Sequence, residues 1–222
     1  MKSLALRAIV KYIAGLLACG VLLFLPAGTL AFPGGWRFLA LLFLPMLLLG
    51  AVLLARAPEL LEKRLQSRES SSAQRGVIGF SALLFLAGFL LAGLDFRFGW
   101  SQLPLWAVIT ACVVFLIGYG MYAEVMRENA WLSRTVEVQE NQNVIDTGLY
   151  GIVRHPMYTA TILMFLSLPL VLGSLCALLA FLAYPILLVL RIREEETLLT
   201  RDLPGYAEYS KKVRWRLIPF LF

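Results

Sequence analysis

Long apolar runs separated by short polar segments are the main pattern along the chain. Six runs are apolar almost throughout: Ile9–Phe32, Trp36–Ala55, Val77–Leu94, Leu105–Tyr122, Met157–Leu172 and Ser174–Leu190. A helix of about 20 apolar residues is long enough to cross the ~30 Å hydrocarbon core of a bilayer. The pattern therefore predicts an all-α integral membrane protein with about six transmembrane helices.

The last two apolar runs are separated only by Gly173, so we expect them to form a tight helical hairpin. As a helix, the first arm would be about 24 Å long, which is short for a membrane span. The second arm leads directly to Arg191. We expect this helix to continue beyond the hydrocarbon core into the headgroup region.

Composition agrees with this interpretation, and the charges add an orientation. Hydrophobic residues make up 60% of the chain and charged residues 15%, whereas soluble domains are nearer half and a quarter. In the six-helix arrangement, 18 of the 20 Lys and Arg residues lie on one side, and only Arg37 and Arg97 lie on the other. The positive-inside rule then predicts that both termini are cytoplasmic. We expect the membrane to be a bacterial inner membrane.

The polar segment after the fourth apolar run predicts two small elements. Polar and apolar residues alternate over Thr135–Val138, a polar turn follows, and Val144–Ile145 resumes the apolar pattern. This spacing predicts a short β-hairpin at the cytoplasmic face. Near the C-terminus, the spacing of Tyr206, Tyr209 and Val213 predicts a short helix with these side chains on one face.

Candidate chemistry is concentrated in residues 124–222, which we interpret as a catalytic region that follows a membrane scaffold of helices 1–4, residues 1–123. A single histidine and the lack of a cysteine cluster argue against a metal site. The sequence has no glycine-rich fingerprint of a Rossmann or P-loop nucleotide site. The net charge of +6 fits attraction to anionic lipid, and no basic and aromatic stripe suggests a nucleic-acid partner.

The only histidine, His155, stands between Arg154 and Pro156 at the start of the fifth apolar run. Proline is favoured at the first position of a helix, so His155 should be the capping residue. A helix start of this kind binds anions such as carboxylate or phosphate, and Arg154 would strengthen that binding. The alternative is structural, with Arg154 extending to lipid phosphates and Tyr158 in an aromatic belt.

Three consecutive glutamates follow the sixth run, at the inner end of the predicted helix. On a helix, Glu195 lies one turn beyond Arg191, and Glu194 and Glu196 point to either side. Carboxylates near a helix C-terminus oppose its dipole, so some of them should have a partner. The partner could be an organic cation, the neighbouring arginines or simply solvent.

Taken together, these residues resemble the isoprenylcysteine carboxyl methyltransferases and the related phospholipid methyltransferases. The matching residues, in order, are Gly148 and Tyr150; Arg154, His155, Pro156 and Tyr158; Arg191, Glu195, Glu196 and Leu199; Gly205, Tyr206 and Tyr209; Arg216 and Pro219. The order and spacing make the match specific over about residues 135–219. The chain departs from the common family pattern at Leu149 and Ala160.

The resemblance implies that S-adenosyl-L-methionine is bound at the cytoplasmic face and that the methyl acceptor is a lipophilic small molecule or a lipidated substrate. The implied cofactor-binding residues are Tyr150, Arg154, His155, Pro156, Tyr158, Glu195, Glu196, Tyr206 and Tyr209, with Arg191 and Glu195 as catalytic residues and no metal. A carboxylate acceptor would need a cation such as Arg191 or Arg193. An amine acceptor would need a base such as Glu194, and the sequence leaves this choice open.

Two other functions remain as alternatives. Membrane sterol reductases end in a similar C-terminal region and use a nicotinamide cofactor, but they are longer, and their glutamate region usually reads Asp-Glu. The pair Glu195–Glu196 therefore favours methyl transfer. A non-catalytic membrane scaffold or small transporter is the second alternative, although no charged residue lies in the middle of a predicted span, where an ion pathway would need one.

Overall fold

The computed structural model describes residues 2–65, 72–132 and 138–222, and these residues form nine α-helices and one 3-10 turn. In chain order the helices are α1 (Lys2–Ala27), α2 (Pro33–Arg56), α3 (Pro58–Leu65), α4 (Ser72–Phe98), α5 (Leu105–Glu128), α6 (Pro156–Leu172), α7 (Leu175–Phe181), α8 (Tyr184–Asp202) and α9 (Tyr206–Lys212), and the 3-10 turn is Gly148–Gly151. The predicted all-α membrane architecture is confirmed.

Five helical segments are long and apolar enough to cross a membrane. They are Ser3–Ala27, Pro33–Arg56, Gly76–Phe98, Leu105–Glu128 and the combined segment Leu175–Asp202. Helix α6 is a sixth apolar helix, but it has only 17 residues, about 25 Å at 1.5 Å per residue. Its shortness agrees with the sequence, and six complete crossings remain a prediction.

The turn between the last two apolar runs has the predicted tight geometry. Helix α6 ends at Leu172, and Gly173 follows in the left-handed conformation with φ of +86°, which glycine adopts without the penalty that a side chain would bring. Ser174 then caps α7 by accepting a hydrogen bond from the Ala177 backbone N–H at 3.0 Å. The two arms of the hairpin therefore reverse direction within two residues.

The second arm of this hairpin differs from the prediction of one continuous helix. Residues 182 and 183 interrupt it between α7 and α8. Pro185 explains the break, because its nitrogen has no hydrogen for the Phe181 carbonyl and its ring clashes with that carbonyl in a regular helix.

Small residues allow the helices to pack closely, as is typical in membranes. Helix α5 packs along α6, where a side chain at Gly118 would come within 2.9 Å of the Ala160 carbonyl oxygen. Helix α4 packs on α7 in the same way, because Gly88 leaves room for the buried ring of Phe181. These contacts fix α6 and α7, and α7 leads into α8; the ends of α6 and α8 carry the predicted motifs.

A buried carboxylate joins two turns at the end of the helix bundle opposite to those motifs. Asp95, which is 1% exposed, accepts hydrogen bonds from the backbone N–H and the hydroxyl of Ser101, both at 2.6 Å, and from the hydroxyl of Ser174. The Ser101 hydroxyl also accepts a bond from the Leu175 backbone N–H at 3.0 Å. This network ties the α4–α5 connection to the hairpin turn.

The predicted β-hairpin is wrong where the structure describes it. Of its first strand, residues 135–137 lie outside the described residues, and Val144–Ile145 is not a strand. Instead, the backbone turns at Gln139–Gln142, and Val138 and Val144 pack against Tyr206 and Tyr209. An isolated two-stranded ribbon is only marginally stable, and this packing on α9 buries the same apolar side chains.

Candidate cofactor cleft

A cleft opens at the end of the bundle where the segment after α5, the start of α6, the end of α8 and α9 meet. It contains about 870 Å³ of empty space, including the part that is open to solvent. Its lining includes most of the predicted site residues: Tyr150, Arg154, His155, Pro156, Tyr158, Arg191, Glu195, Tyr206 and Tyr209.

His155 is the N-cap residue of α6, and Pro156 occupies the first helical position as predicted. The backbone N–H groups of Arg154 and His155 donate to the carbonyls of Trp215 and Arg216, each at 2.9 Å. The imidazole is 6% exposed and stacks on the Tyr158 ring, with 5.6 Å between ring centroids. The C-terminal segment and Pro156 together fix this residue at the cleft wall.

Glu196 lies behind this wall and has two arginines and the imidazole of His155 as neighbours. Its carboxylate is 3.2 Å from His155 Nε2, 3.2 Å from Arg154 Nε and 2.8 Å from Arg216 Nε. It is absent from the described residues that line the cleft. The helix dipole predicted that some of the glutamates should have a partner. For Glu196 the protein itself provides these partners.

A second polar group connects α6 with α8 inside the cleft. The Tyr158 hydroxyl donates to Glu195 Oε2 at 2.5 Å and accepts from Arg191 Nε at 2.9 Å. Arg191 and Glu195 are four residues apart, so they lie on the same face of α8. The buried tyrosine therefore holds both predicted catalytic side chains at the cleft surface.

Two buried polar atoms on residues that line the cleft have no hydrogen-bond partner among the described residues. They are Tyr206 Oη and Arg154 Nε. Arg154 Nε is close to Glu196, but its N–H does not point at that carboxylate well enough to form a hydrogen bond. Leaving a buried hydroxyl unsatisfied costs about 1–3 kcal/mol. Tyr206 Oη therefore indicates where a polar ligand would bind, whereas Arg154 already has the Glu196 carboxylate as a charge partner.

Two further tyrosines that line the cleft, Tyr150 and Tyr209, are hydrogen-bonded. The Tyr209 hydroxyl donates to the Tyr150 carbonyl, and the Tyr150 hydroxyl accepts from Asn129 Nδ2, both at 2.8 Å. Burial raises the pKa of Tyr150 to about 12. Burial, followed by the negative charge of Glu196, raises the pKa of Tyr206 above its ordinary value. These tyrosines therefore stay neutral at physiological pH.

Several cleft residues were not predicted from the sequence. Asn129, Trp131 and Leu132 line the cleft from the segment after α5, and no local pattern marks them. Arg216 was noticed as part of a motif, but its contact with Glu196 depends on the folding back of the C-terminal segment. Within the described ranges, no group of three or more His, Cys, Asp and Glu residues is placed to bind a metal.

The curated proteins that resemble this chain are sterol reductases. Over 136 residues it is 24% identical to a Delta(14)-sterol reductase of Methylotuvimicrobium alcaliphilum, covering 54% of this chain and 32% of that protein. It is 27% identical over 134 residues to a Delta(14)-sterol reductase of Arabidopsis thaliana, and the match covers 54% of this chain and 36% of that protein. Over 91 residues it is 33% identical to the Delta(14)-sterol reductase TM7SF2 of Mus musculus, and the match covers 40% of this chain and 22% of that protein. The chain thus spans about a third or less of the length of these relatives.

A family model points to methyl transfer instead. The model described as phospholipid methyltransferase matches residues 106–203, which extend from the start of α5 to the residue after α8. This segment contains the histidine and glutamate motifs and most of the cleft. Residues 106–203 thus match the family of isoprenylcysteine and phospholipid integral membrane methyltransferases, which confirms the resemblance seen in the motifs.

Proposed function

We propose that this protein is an integral membrane methyltransferase that uses S-adenosyl-L-methionine and acts on a lipophilic substrate. One observation carries the proposal. A single cleft, within the segment that matches the methyltransferase family, combines a buried cation, a carboxylate and an unpartnered tyrosine hydroxyl. S-adenosyl-L-methionine has a carboxylate, an ammonium group, ribose hydroxyls and an aromatic base, and these groups need such partners.

The residues present fit this cofactor. Arg154, whose Nε has no acceptor among the described residues, would bind the methionine carboxylate next to the start of α6. Glu195 would bind the ammonium group or the ribose. The rings of Tyr158, Tyr206 and Tyr209 would contact the adenine and the electron-poor sulfonium. When bound, the cofactor supplies a methyl group that a nucleophile can attack.

Glu196 and His155 contribute to this binding through position. Because Glu196 contacts Arg154, His155 and Arg216 from behind the cleft, it would hold the first of these at the cofactor carboxylate. His155 is buried between Glu196 and Tyr158, so it fixes the cleft wall. Pro156 restricts the backbone of both residues at the start of α6.

The reaction itself needs alignment more than acid–base chemistry. The enzyme must hold the acceptor atom in line with the methyl carbon and exclude water, and orientation of this kind can contribute about 7–11 kcal/mol. Arg191 lines the cleft and would attract an anionic acceptor, such as an isoprenylcysteine-type carboxylate. Glu194, the base that an amine acceptor would need, is exposed on α8 and is not among the described residues that line the cleft.

Reduction of a lipophilic substrate with NADPH is the second candidate, because the curated relatives are Delta(14)-sterol reductases. Their similarity covers at most 54% of this chain. Both candidates place an adenosine-containing cofactor in the same cleft. They differ in the group that the cleft must bind, since S-adenosyl-L-methionine is a zwitterionic amino acid and NADPH carries phosphates.

Equilibrium binding separates the two candidates. Radiolabelled S-adenosyl-L-methionine and radiolabelled NADPH would each be incubated with the detergent-solubilised protein, and competition would be measured with unlabelled S-adenosylhomocysteine. We expect saturable binding of the first ligand and displacement by S-adenosylhomocysteine. Saturable binding of NADPH alone would favour the reductase, and binding of neither ligand would favour a scaffold.

We also propose the orientation and division of the chain. The cleft end carries most of the basic residues, so it would face the cytoplasm of a bacterial inner membrane. All the residues that line the cleft lie between Asn129 and Tyr209. This supports a catalytic region over residues 124–222 and a scaffold role for residues 1–123.

A further inference from the structure

The C-terminal segment after α9 ends in a turn with an unusual backbone. The N–H groups of Leu221 and Phe222 both donate to the Ile218 carbonyl at 3.1 Å, and Pro219 occupies the second position of the turn. Phe220, at the third position, has φ of +67°. Glycine or asparagine normally takes a positive φ at this position, and a bulky aromatic residue there is strained.

Large apolar side chains of this turn are exposed. In the isolated chain, Ile218 is 44% exposed, Phe220 is 87% exposed and Leu221 is 75% exposed. The Trp215 ring lies 5.5 Å from the Phe220 ring, between centroids. A cluster of exposed apolar side chains on a strained turn indicates an interaction surface.

Both ends of the turn pack against α6 and α8. Leu217 is buried with Leu188 and Ile192 of α8, and Phe222 packs against the same cluster. The Leu217 carbonyl also accepts a hydrogen bond from the Thr159 hydroxyl at 2.7 Å, in the first turn of α6. Leu188 precedes Arg191, the first charged residue of α8, by three residues, or about 4.5 Å along the helix axis.

Basic residues accompany the apolar turn. Lys211 and Arg214 are exposed at the start of the segment. Anionic phospholipid headgroups attract basic side chains close to the surface of a bilayer, and aromatic side chains are favoured at the same level. The combination of position, apolar exposure and charge therefore fits a lipid surface.

We propose that residues Trp215–Phe222 form a membrane anchor, in which Ile218, Phe220 and Leu221 insert at the boundary between headgroups and acyl chains. The leaflet is the one on the cleft side, and Lys211 and Arg214 contact its anionic headgroups. The anchor is joined to the cleft, because Arg216 contacts Glu196 and the Trp215 carbonyl accepts from Arg154. This proposal does not depend on which cofactor the cleft binds.

Spin labelling tests the depth of the turn. A nitroxide would be attached at Phe220→Cys, or at Lys211→Cys as the matched control, in a chain whose three native cysteines are replaced by alanine. Each protein would be reconstituted in phosphatidylcholine–phosphatidylglycerol liposomes. We expect the label at position 220 to collide mainly with oxygen and the label at position 211 mainly with a water-soluble nickel chelate. If position 220 is as accessible to nickel as position 211, or is shielded from both reagents by a second copy, the anchor is overturned.

Variants at Phe220 give an independent readout. Phe220→Gly relieves the strained φ, so it should leave the turn intact, but it removes the apolar side chain. We expect trypsin to cleave the segment at Lys211–Arg216 on the order of tenfold faster in liposomes, the effect of losing one buried aromatic side chain. Phe220→Trp, the matched control, should keep the native rate. Equal rates for Phe220→Gly and the unmodified chain would contradict the proposal.

Discussion

At the scale of single residues, Glu196 organises the polar side of the cleft. A buried carboxylate is tolerated only where charges and hydrogen bonds compensate for lost hydration. Arg154, His155 and Arg216 provide that compensation. The same contacts hold Arg154 at the cleft, so under the proposed function Glu196 would act on the cofactor through Arg154.

Replacing Glu196 by glutamine tests this role. Glu196→Gln keeps the shape but leaves Arg154 and Arg216 without their counter-charge, and Arg154 should leave its position. Charge-assisted hydrogen bonds contribute about 1.5–3 kcal/mol, so calorimetry should show S-adenosylhomocysteine binding roughly ten- to hundredfold weaker. Glu208→Gln, on the exposed side of α9, is the control. Unchanged affinity in Glu196→Gln would mean that the cluster is only structural.

Removing the hydroxyl of Tyr206 should weaken ligand binding without lowering the stability of the unliganded protein. Because Tyr206 Oη is buried without a partner among the described residues, Tyr206→Phe should not lower the thermal unfolding temperature of the unliganded protein. Binding should weaken about two- to tenfold if the hydroxyl contacts the ligand. Tyr209→Phe is the contrast, since it breaks a hydrogen bond to the Tyr150 carbonyl and should reduce stability by ~1 kcal/mol. A destabilised Tyr206→Phe with native affinity would contradict the assignment.

At the scale of elements, the close approach of α5 and α6 supports the floor of the cleft. A methyl group at Gly118 would lie 2.9 Å from the Ala160 backbone oxygen, whereas a methyl group at Gly120 would meet nothing within 4 Å. Overpacking at Gly118 would cost about 1–3 kcal/mol. At the open position of Gly120, alanine is instead about 0.5–1 kcal/mol more stable in a helix than glycine. Gly118→Ala should therefore lower the unfolding temperature in detergent, and Gly120→Ala should not. Equal effects would show that the helices are more loosely packed.

Local sequence rules predicted some elements and missed others for physical reasons. Gly173 marked the hairpin turn because a left-handed residue is nearly always glycine, and Pro156 marked the start of α6. Pro185 is an equally clear indication of the break between α7 and α8. The prediction missed it because the apolar run continues through this proline without a polar residue. The alternation that suggested a β-hairpin reports only which side chains are buried, and Val144 is buried against α9 instead of in a sheet.

The cleft was predictable only in part. The polar motifs on α6, α8 and α9 could be read from their spacing, because those helices present them on definite faces. Asn129 and Trp131 could not, since their approach depends on how an irregular segment crosses the end of the bundle. The contact between Arg216 and Glu196 likewise depends on tertiary folding of the C-terminal segment.

At the scale of the whole molecule, the bundle has two different ends. Short turns and the Asp95 network close one end, and the cleft, α3 and the C-terminal segment form the other. Reporter fusions placed after Gly76 and after Phe222 should both report the cytoplasm, because basic residues concentrate at the cleft end. A reporter fused at Gly99 should face the opposite side. An external location for the Phe222 fusion would contradict the orientation.

The central claim is that the cleft binds S-adenosyl-L-methionine, and photochemical cross-linking tests it most directly. Ultraviolet irradiation of the protein with radiolabelled S-adenosyl-L-methionine, followed by peptide mapping, reports which residues lie against the ligand. We expect saturable labelling of peptides that contain Tyr150, Tyr158, Tyr206 or Tyr209, and loss of that labelling with excess S-adenosylhomocysteine. Labelling that does not saturate, or that maps to residues 1–123, would contradict it.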